Sequence, residues 1–267
     1  MDLKGKTVLI TGANGGIGGA LVNAVLDKGA AKVYAAARTI TGVMTLSNRK
    51  SDRVVPLRLD ITHPASVASA HEICQDVDVL INNAGVNRCT GLLEPTGMTG
   101  AEEEMKANFF GTLAMCRAFA PVLASRGGVL VNVCSILGLV NLPANGTYSA
   151  SKAAVHSLIQ GVRGELALRG VRVVGVYPGP VDTRMTAGQD LPKAAAELVA
   201  AEIMAGLENG NEDIFPDPMS QEVHGQLVKN AKGVEKAFAA SIPAASCAAA
   251  ADDGAEDPRP AASAQGA

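Results

Sequence analysis

The sequence predicts a doubly wound α/β fold, a parallel sheet covered on both faces by helices. Three observations predict it. Short β-branched runs alternate with longer stretches of helical pattern along most of the chain. These runs are continuously apolar, without the alternation of a half-solvated strand, as expected of strands buried on both sides. The first run also leads through a glycine-rich turn directly into a helical pattern, the opening of a βαβ unit.

Each element can be read in order. Lys6 to Thr11, carrying Val8-Leu9-Ile10, is the first strand, and Gly16 to Lys28 the first helix. Ala31 to Ala37 and Arg53 to Leu59 read as the second and third strands, and Pro64 to Cys74 as a helix. Val77 to Asn82 is the fourth strand. A helix over Glu102 to Ser125 follows, its first turn formed by the acidic run Glu102-Glu103-Glu104, which the helix dipole favours there. Gly128 to Val133 is the fifth strand, Tyr148 to Arg169 a helix and Val171 to Tyr177 the sixth strand. Pro192 to Asn209 reads as a helix and Glu212 to Phe215 as a short seventh strand. From Ala239 to Ala267 the chain turns to Ala, Ser, Pro, Asp and Gly, which cannot bury enough surface to offset ordering entropy. The expectation is one domain over residues 1–238 and a disordered tail over 239–267.

Composition bounds the function. With 48% hydrophobic and 18% charged residues the chain is globular, and its formal charge of −3 argues against a general nucleic-acid or membrane-surface partner. The five cysteines, Cys74, Cys89, Cys116, Cys134 and Cys247, are widely spaced with no C-x-x-C, as reduced thiols in a cytoplasmic protein would be. Met1 to Thr11 lacks the apolar segment and cleavage site of a secretory signal. The most apolar internal run, Val129 to Val140, is interrupted by Asn132, Ser135 and Gly138 and is too short to span a bilayer. His63, His71, His156 and His224 lack metal-ligand spacing, so no metal site is expected.

The chemistry concentrates in three stretches. In Thr147-Tyr148-Ser149-Ala150-Ser151-Lys152, Tyr148 and Lys152 are four apart and share a helix face. A unit charge about 4 Å from the phenol is worth roughly 4 kcal/mol at an effective dielectric near 20, about three pKa units, which would bring Tyr148 close to neutral pH. In Thr11-Gly12-Ala13-Asn14-Gly15-Gly16-Ile17-Gly18, the glycines allow a tight turn and let backbone approach a pyrophosphate on the helix N-terminus. In Ala35-Ala36-Ala37-Arg38-Thr39, the carboxylate that would bind the ribose hydroxyls of NAD is missing. Arg38 can instead pair with a 2′-phosphate; the plain alternative is a solvated strand-end arginine.

On these residues, over roughly Lys4 to Ser220, the chain resembles a classical short-chain dehydrogenase/reductase. Thr11 to Gly18 matches that family's glycine motif, Asn82-Asn83-Ala84-Gly85 its Asn-Asn-Ala-Gly, and Tyr148 with Lys152 its Tyr-x-x-x-Lys. Asn108 in Lys106-Ala107-Asn108-Phe109, Ser135 after Asn132-Val133-Cys134, and Tyr177-Pro178-Gly179-Pro180-Val181-Asp182-Thr183 match its remaining motifs in order. The resemblance implies one Rossmann-type domain with seven parallel strands in the order 3-2-1-4-5-6-7.

It also implies roles. Tyr148 would be the general acid or base and Lys152 the residue that lowers its pKa and holds the nicotinamide ribose. Ser135 would orient the substrate oxygen, and Asn108 would hold a water leading from the lysine. Gly12, Asn14, Gly16, Ile17, Gly18, Arg38, Asp60, Asn82, Ala84, Val181 and Thr183 would contact the dinucleotide, with Asp60 at the adenine, Asn82 and Ala84 stabilising the central strand and lining the ribose pocket, and Val181 and Thr183 at the carboxamide. The activity implied is NADP(H)-dependent interconversion of a small ketone or aldehyde and its alcohol. An NAD-dependent alcohol dehydrogenase and a non-catalytic dinucleotide-binding regulator are the alternatives. Leu137, Leu142, Asn145 and Met185 are candidates for an apolar substrate pocket, and the short Thr183 to Pro192 segment for a small lid. The apolar residues Ala154, Val155, Leu158, Val162 and Leu166, with the segment Ala114 to Leu123, would supply a homodimer or homotetramer interface.

Overall fold

The computed structural model describes residues 1–44, 52–95 and 97–241. Seven parallel strands form one sheet: β1 (Thr7–Thr11), β2 (Lys32–Ala37), β3 (Val54–Arg58), β4 (Val79–Asn82), β5 (Val129–Val133), β6 (Arg172–Val176) and β7 (Asp213–Ile214). Their order is β3-β2-β1-β4-β5-β6-β7, the Rossmann-type arrangement. β1 pairs with β2 on one side, Leu9 opposite Tyr34, and with β4 on the other, Leu9 opposite Leu80. The strand order reverses between β1 and β4. Such a switch point leaves a crevice at the carboxyl ends of the strands.

The continuous apolar character of the strands has a direct cause: successive side chains point to opposite faces, and both faces are buried. Val8 and Ile10 join a core with Leu21, Val25, Val199 and Ile203, from helices α1 (Gly16–Asp27) and, near the other end of the chain, Ala196–Asn209. Leu9, between them, joins a second core with Val67 of α2 (Pro64–Ile73) and with Met115, Phe119, Val155 and Ile159. Burial of each large aliphatic side chain contributes about 1.5–3 kcal/mol.

The middle of the chain departs from expectation. The helix read as Glu102 to Ser125 begins earlier, as α3 (Gly97–Glu104), passes through a π-helical segment, Met105–Gly111, and continues as α4 (Thr112–Arg126). Gly97 and Gly100 disfavour helix by propensity and so hide the start. Here a Cβ on Gly97 would fall 2.7 Å from the Gly91 carbonyl oxygen, and one on Gly100 2.6 Å from Thr90 Oγ1. The acidic run therefore lies inside the helix, just before its π-helical segment, instead of opening it. Glu104 is fully buried and accepts a hydrogen bond from the Arg88 N–H at 2.6 Å, while Glu103 pairs with the Arg88 guanidinium. The run Gly97–Arg126, within which an 18-residue window has a mean hydropathy of 1.3, is long and apolar enough to cross a membrane by length and composition. Here its Met115, Cys116, Phe119 and Leu123 are buried against the sheet.

Helix α5 (Gly146–Ala167) buries Val155, Leu158 and Leu166 in the chain's own second core, so much of its apolar stripe is already satisfied within one subunit. Helix α6 (Ala196–Asn209) starts four residues later than Pro192. A further helix, α7 (Pro218–Ala239), was not anticipated, although Asp217 at its N-cap followed by Pro218 is a start signal the sequence carries; only Ser220, Val223 and Val234 within it are buried, and Asn230 leaves helical geometry. The predicted tail falls, from residue 242 onward, outside the described residues.

What starts α7 also ties it to the sheet. Asp217, 2% exposed, accepts from the Ser220 N–H with one carboxylate oxygen (2.9 Å) and from the Gly179 N–H with the other (2.8 Å). Asp217→Ala removes a cap and leaves the Gly179 N–H short of a partner, so we expect a loss of about 1–3 kcal/mol in urea unfolding. Asp217→Asn, which keeps an acceptor for the cap, should lose less. Equal stability of Asp217→Ala and wild type would show that the carboxylate is dispensable to the fold.

Candidate active site

The crevice at the switch point is a cavity of about 990 Å³ running from the glycine turn, past the ends of β2 and β3, to the far ends of β5 and α5. At one end the turn is drawn tight. Thr11 Oγ1 accepts from the N–H groups of Asn83 and Ala84, both at 3.0 Å, and Asn83 Nδ2 donates to the Thr11 and Gly12 carbonyls at 3.0 and 3.3 Å. Gly12 lies at φ 68°, a left-handed conformation, and a Cβ on Gly18 would be 2.1 Å from the Gly12 carbonyl oxygen. Only glycines fit these two positions. Helix α1 starts here with no side-chain cap, which leaves its first-turn N–H groups available to an anion.

Most predicted contacts line this cavity: Gly12, Asn14, Gly16, Ile17, Gly18, Arg38, Asp60, Ala84, Ser135, Tyr148, Lys152, Val181 and Thr183. Arg38 stands exposed at the end of β2 beside Ala37. Asp60 accepts from Thr62 N–H (2.9 Å) and Thr62 Oγ1 (2.7 Å) and lies 3.2 Å from His63 Nδ1. Burial pushes this carboxyl up, but the Thr62 hydrogen bonds and the His63 charge outweigh it, and the net pKa is lowered.

Two predicted residues stand behind the cavity wall. Asn82 faces Asn132 across the β4–β5 pair and donates to its Oδ1 at 2.9 Å, bracing the central strands as expected, and it is not among the residues that line the cavity. Asn108 lies in the π-helical segment, 1% exposed; it donates to the Val86 carbonyl and Ser151 Oγ, and accepts from the Val86 N–H. A Cβ on Gly85 would lie 3.1 Å from Asn108 Oδ1 and 3.7 Å from Lys152 Nζ, which places both side chains beside the Gly85 backbone.

Ser135, Tyr148 and Lys152 come together at the opposite end. Ser135 Oγ accepts from the Leu137 N–H (3.1 Å) and donates to the Pro178 carbonyl (3.4 Å). Lys152 Nζ donates to the Val133 carbonyl at 3.0 Å and lies 5.6 Å from the Tyr148 ring centre. Electrostatics here correct the expectation from spacing. The Tyr148 phenol is pushed well above its ordinary value, first by burial and then by Cys134, with the Ser135 hydroxyl pulling the other way. Lys152 is lowered by burial. Sharing a helix face brings phenol and ammonium close, but desolvation penalises the charged form of each, and burial is invisible in a four-residue spacing. At neutral pH Tyr148 therefore keeps its proton, the form that can donate.

Sequence reasoning missed three contributors. Asn83 carries the brace on the glycine turn; it sits inside the quoted Asn82-Asn83-Ala84-Gly85 motif, and that position was the available signal. Arg184 projects over the turn, its Nη2 3.7 Å from where a Gly15 Cβ would be, positioned by the short helical turn Arg184–Thr186 with reciprocal Thr183 and Thr186 caps. Phe238, near the end of α7, lines the same cavity and packs against the group that includes Ile136, next to Ser135. Among the described residues no three of His, Cys, Asp and Glu gather to hold a metal.

Such a cavity, with an anion cradle at one end and Ser-Tyr-Lys at the other, defines a dinucleotide-binding oxidoreductase site, and the comparisons with known proteins agree. The family model described as short chain dehydrogenase matches residues 6–193. Estradiol 17-beta-dehydrogenase 2 of Mus musculus is 37% identical over 194 residues, 70% of this chain but 51% of that protein, so the chain spans about half that relative's length. An uncharacterized oxidoreductase of Staphylococcus saprophyticus is 34% identical over 200 residues, 71% of this chain and 84% of the relative. A solved short chain dehydrogenase from Burkholderia cenocepacia J2315, in complex with NADP, is 40% identical with a TM-score of 0.85, covering 91% of this chain and 100% of that one. The chain belongs to the short-chain dehydrogenase/reductase family of oxidoreductases.

Burial around the site has a consequence for stability. Desolvation pushes the Cys134 thiol up to about 11 and the Cys116 thiol up to about 12, whereas an unfolded thiol ionises near 8.5. Because folding raises these values, the stability linked to them is complete below about pH 8.5 and is lost as pH rises from there toward 11–12. Each thiol steepens the decline by up to about 1.4 kcal/mol per pH unit. Cys116→Ala should flatten the slope of unfolding free energy between pH 9 and 11 by up to that amount. An unchanged slope would show that Cys116 ionises alike in both states.

Proposed function

We propose that the protein interconverts a ketone or aldehyde and its alcohol with NADP(H), Tyr148 exchanging the proton at the substrate oxygen. The observation that carries this reading is the convergence of Ser135, Tyr148 and Lys152 at one end of a cavity whose other end is the glycine cradle and Arg38. The residues present fit a phosphorylated dinucleotide. The glycine positions form a cradle that side chains would fill, the first turn of α1 is uncapped, and β2 ends in Ala37 and Arg38 with no carboxylate to repel a 2′-phosphate. The NADP complex of the similar Burkholderia cenocepacia protein supports the same choice. When bound, the cofactor supplies or accepts the hydride.

The chain's own residues do the rest. The Ser135 hydroxyl orients the carbonyl oxygen beside Tyr148, and the protonated phenol gives its proton to that oxygen in reduction. Lys152, held by the Val133 carbonyl, places a positive charge near the phenol and favours the phenolate as it forms. Asn108, through Ser151 Oγ, fixes α5, which carries both Tyr148 and Lys152. Arg184 adds a second cation near the glycine cradle, where a pyrophosphate would lie.

Tyr148→Phe should lower turnover of a carbonyl substrate by about 10²–10⁴-fold while the NADPH dissociation constant moves less than about twofold. Most of the activity surviving would overturn the proton-transfer role, and no NADPH-dependent turnover by the wild type would favour a binding-only protein.

The two arginines should separate in fluorescence titrations with NADPH and NADH. Arg38→Leu should weaken NADPH by about ten- to hundredfold, the worth of a charge-assisted hydrogen bond, and leave NADH unchanged. Arg184→Ala should weaken both dinucleotides alike, by roughly tenfold, because both carry the pyrophosphate. Wild-type protein binding NADH as tightly as NADPH would overturn the cofactor assignment.

A further inference from the structure

The cavity is unevenly furnished. Among its described lining residues only Arg38, Asp60, Lys152 and Arg184 bear charges. Arg38 and Asp60 follow β2 and β3, Arg184 reaches over the glycine turn, and Lys152 is bonded to the Val133 carbonyl. The catalytic end is walled instead by Leu137, Leu142, Met185, Leu191, Met219 and Phe238, with uncharged Asn145, Gln189 and Ser241 between them.

Phe238 reaches this place by a specific route. Helix α7 leaves the sheet edge at Asp217 and breaks at Asn230 (φ −157°, ψ 75°). The Gly233 N–H donates to Asn230 Oδ1 at 2.9 Å, so the asparagine caps a second helical limb in a new direction. Val234 of that limb is buried with Ile136, Val140 and Val223, and Phe238 packs half-buried against the same group. Ile136 directly follows Ser135. The far end of α7 is thus anchored beside the catalytic serine, not beside the glycine turn.

We propose that the catalytic end of this cavity takes a neutral carbonyl compound bearing a bulky apolar group, and that Phe238 is the residue that selects for that group. The proposal rests on the carbonyl-oxidoreductase reading above and adds its substrate class. Beyond Lys152, which is engaged by the Val133 carbonyl, a carboxylate or a sugar would shed its hydration against a wall that offers no further opposite charge, whereas an aryl or alkyl group gains from leaving water. The Phe238 ring is the largest apolar side chain on that wall, and the helix limb that presents it is built into the core.

A matched set of substrates tests this: 4-phenyl-2-butanone, its charged counterpart 2-oxo-4-phenylbutanoate, and the small ketone 2-butanone, each with NADPH, in the full-length protein. We expect kcat/KM at least tenfold higher for 4-phenyl-2-butanone than for either other compound. Phe238→Ala should raise KM for 4-phenyl-2-butanone by about tenfold, leave kcat and the NADPH dissociation constant within about twofold, and leave 2-butanone unaffected. Phe238→Leu should restore most of the lost KM, which a general loosening of α7 would not allow. Preference for the oxo acid, or an equal loss of all three substrates in Phe238→Ala, would overturn the proposal while leaving the oxidoreductase reading intact. Calorimetric binding of 4-phenyl-2-butanone to the NADP-loaded protein covers the remaining case. Binding that weakens in Phe238→Ala without any turnover would uphold the apolar site and overturn the enzymatic reading, and absence of both binding and turnover would overturn the proposal.

Discussion

The site depends on the stitch between the ends of β1 and β4. Thr11-Gly12 and Asn83-Ala84 share four hydrogen bonds across the switch point, closing the glycine turn onto the sheet. Without that closure nothing would hold the Gly12 carbonyl against Gly18, and the uncapped first turn of α1 would not face the crevice. A strand order that reverses between β1 and β4 supplies the gap; the Thr11–Asn83 stitch gives it a defined floor. Every later feature, from Arg38 at the end of β2 to Tyr148 on α5, is arranged around that floor.

At the other end the constraint is burial. Tyr148, Lys152, Ser135, Asn108 and Glu104 are all nearly enclosed, and buried polar groups are tolerated only when they are paired. Pairing here runs through backbone: Val133 and Pro178 carbonyls, Val86 above and below Asn108, and the Arg88 N–H for Glu104. This use of backbone partners fixes the side chains in place. Burial, and not this pairing, holds the Tyr148 phenol above and the Lys152 amine below its ordinary pKa, which favours a proton-bearing tyrosine. The π-helical segment belongs to the same device, since it sets Asn108 at the depth of Gly85 and Ser151; π-turns are frequent at functional sites.

The two ends therefore differ in kind. Anion-binding backbone and arginines gather where the dinucleotide phosphates would lie, and apolar side chains gather beyond the serine. Helix α7 makes that division sharp. It is capped on the Gly179 backbone by Asp217, turned at Asn230 and pinned through Val234, so one element joins the Pro178-Gly179-Pro180 segment to the substrate wall.

Much of this was legible in the chain itself. Unalternating Val, Leu and Ile runs identify strands buried on both faces, because the period-2 geometry of a strand leaves no polar face when both sides are covered. Glycines at 12, 16 and 18, Ala37 followed by Arg38, and Tyr148 four residues before Lys152 are local patterns with local physical meaning, and all of them lie on the cavity. Other properties could be decided only in three dimensions. The early start of α3 at Gly97 rests on contacts with Gly91 and Thr90 that override the weak helix propensity of its glycines, and the bend and docking of α7 rest on Gly179 and Ile136. Asn82 turned to Asn132 because β4 and β5 are neighbours, a fact of topology. The direction of the Tyr148 and Lys152 pKa values follows from desolvation, which depends on everything packed around a group and not on its neighbours in sequence. Phe238 came to the Ser135 end of the cavity through a bend at Asn230, and only the folded core determines where such a bend points.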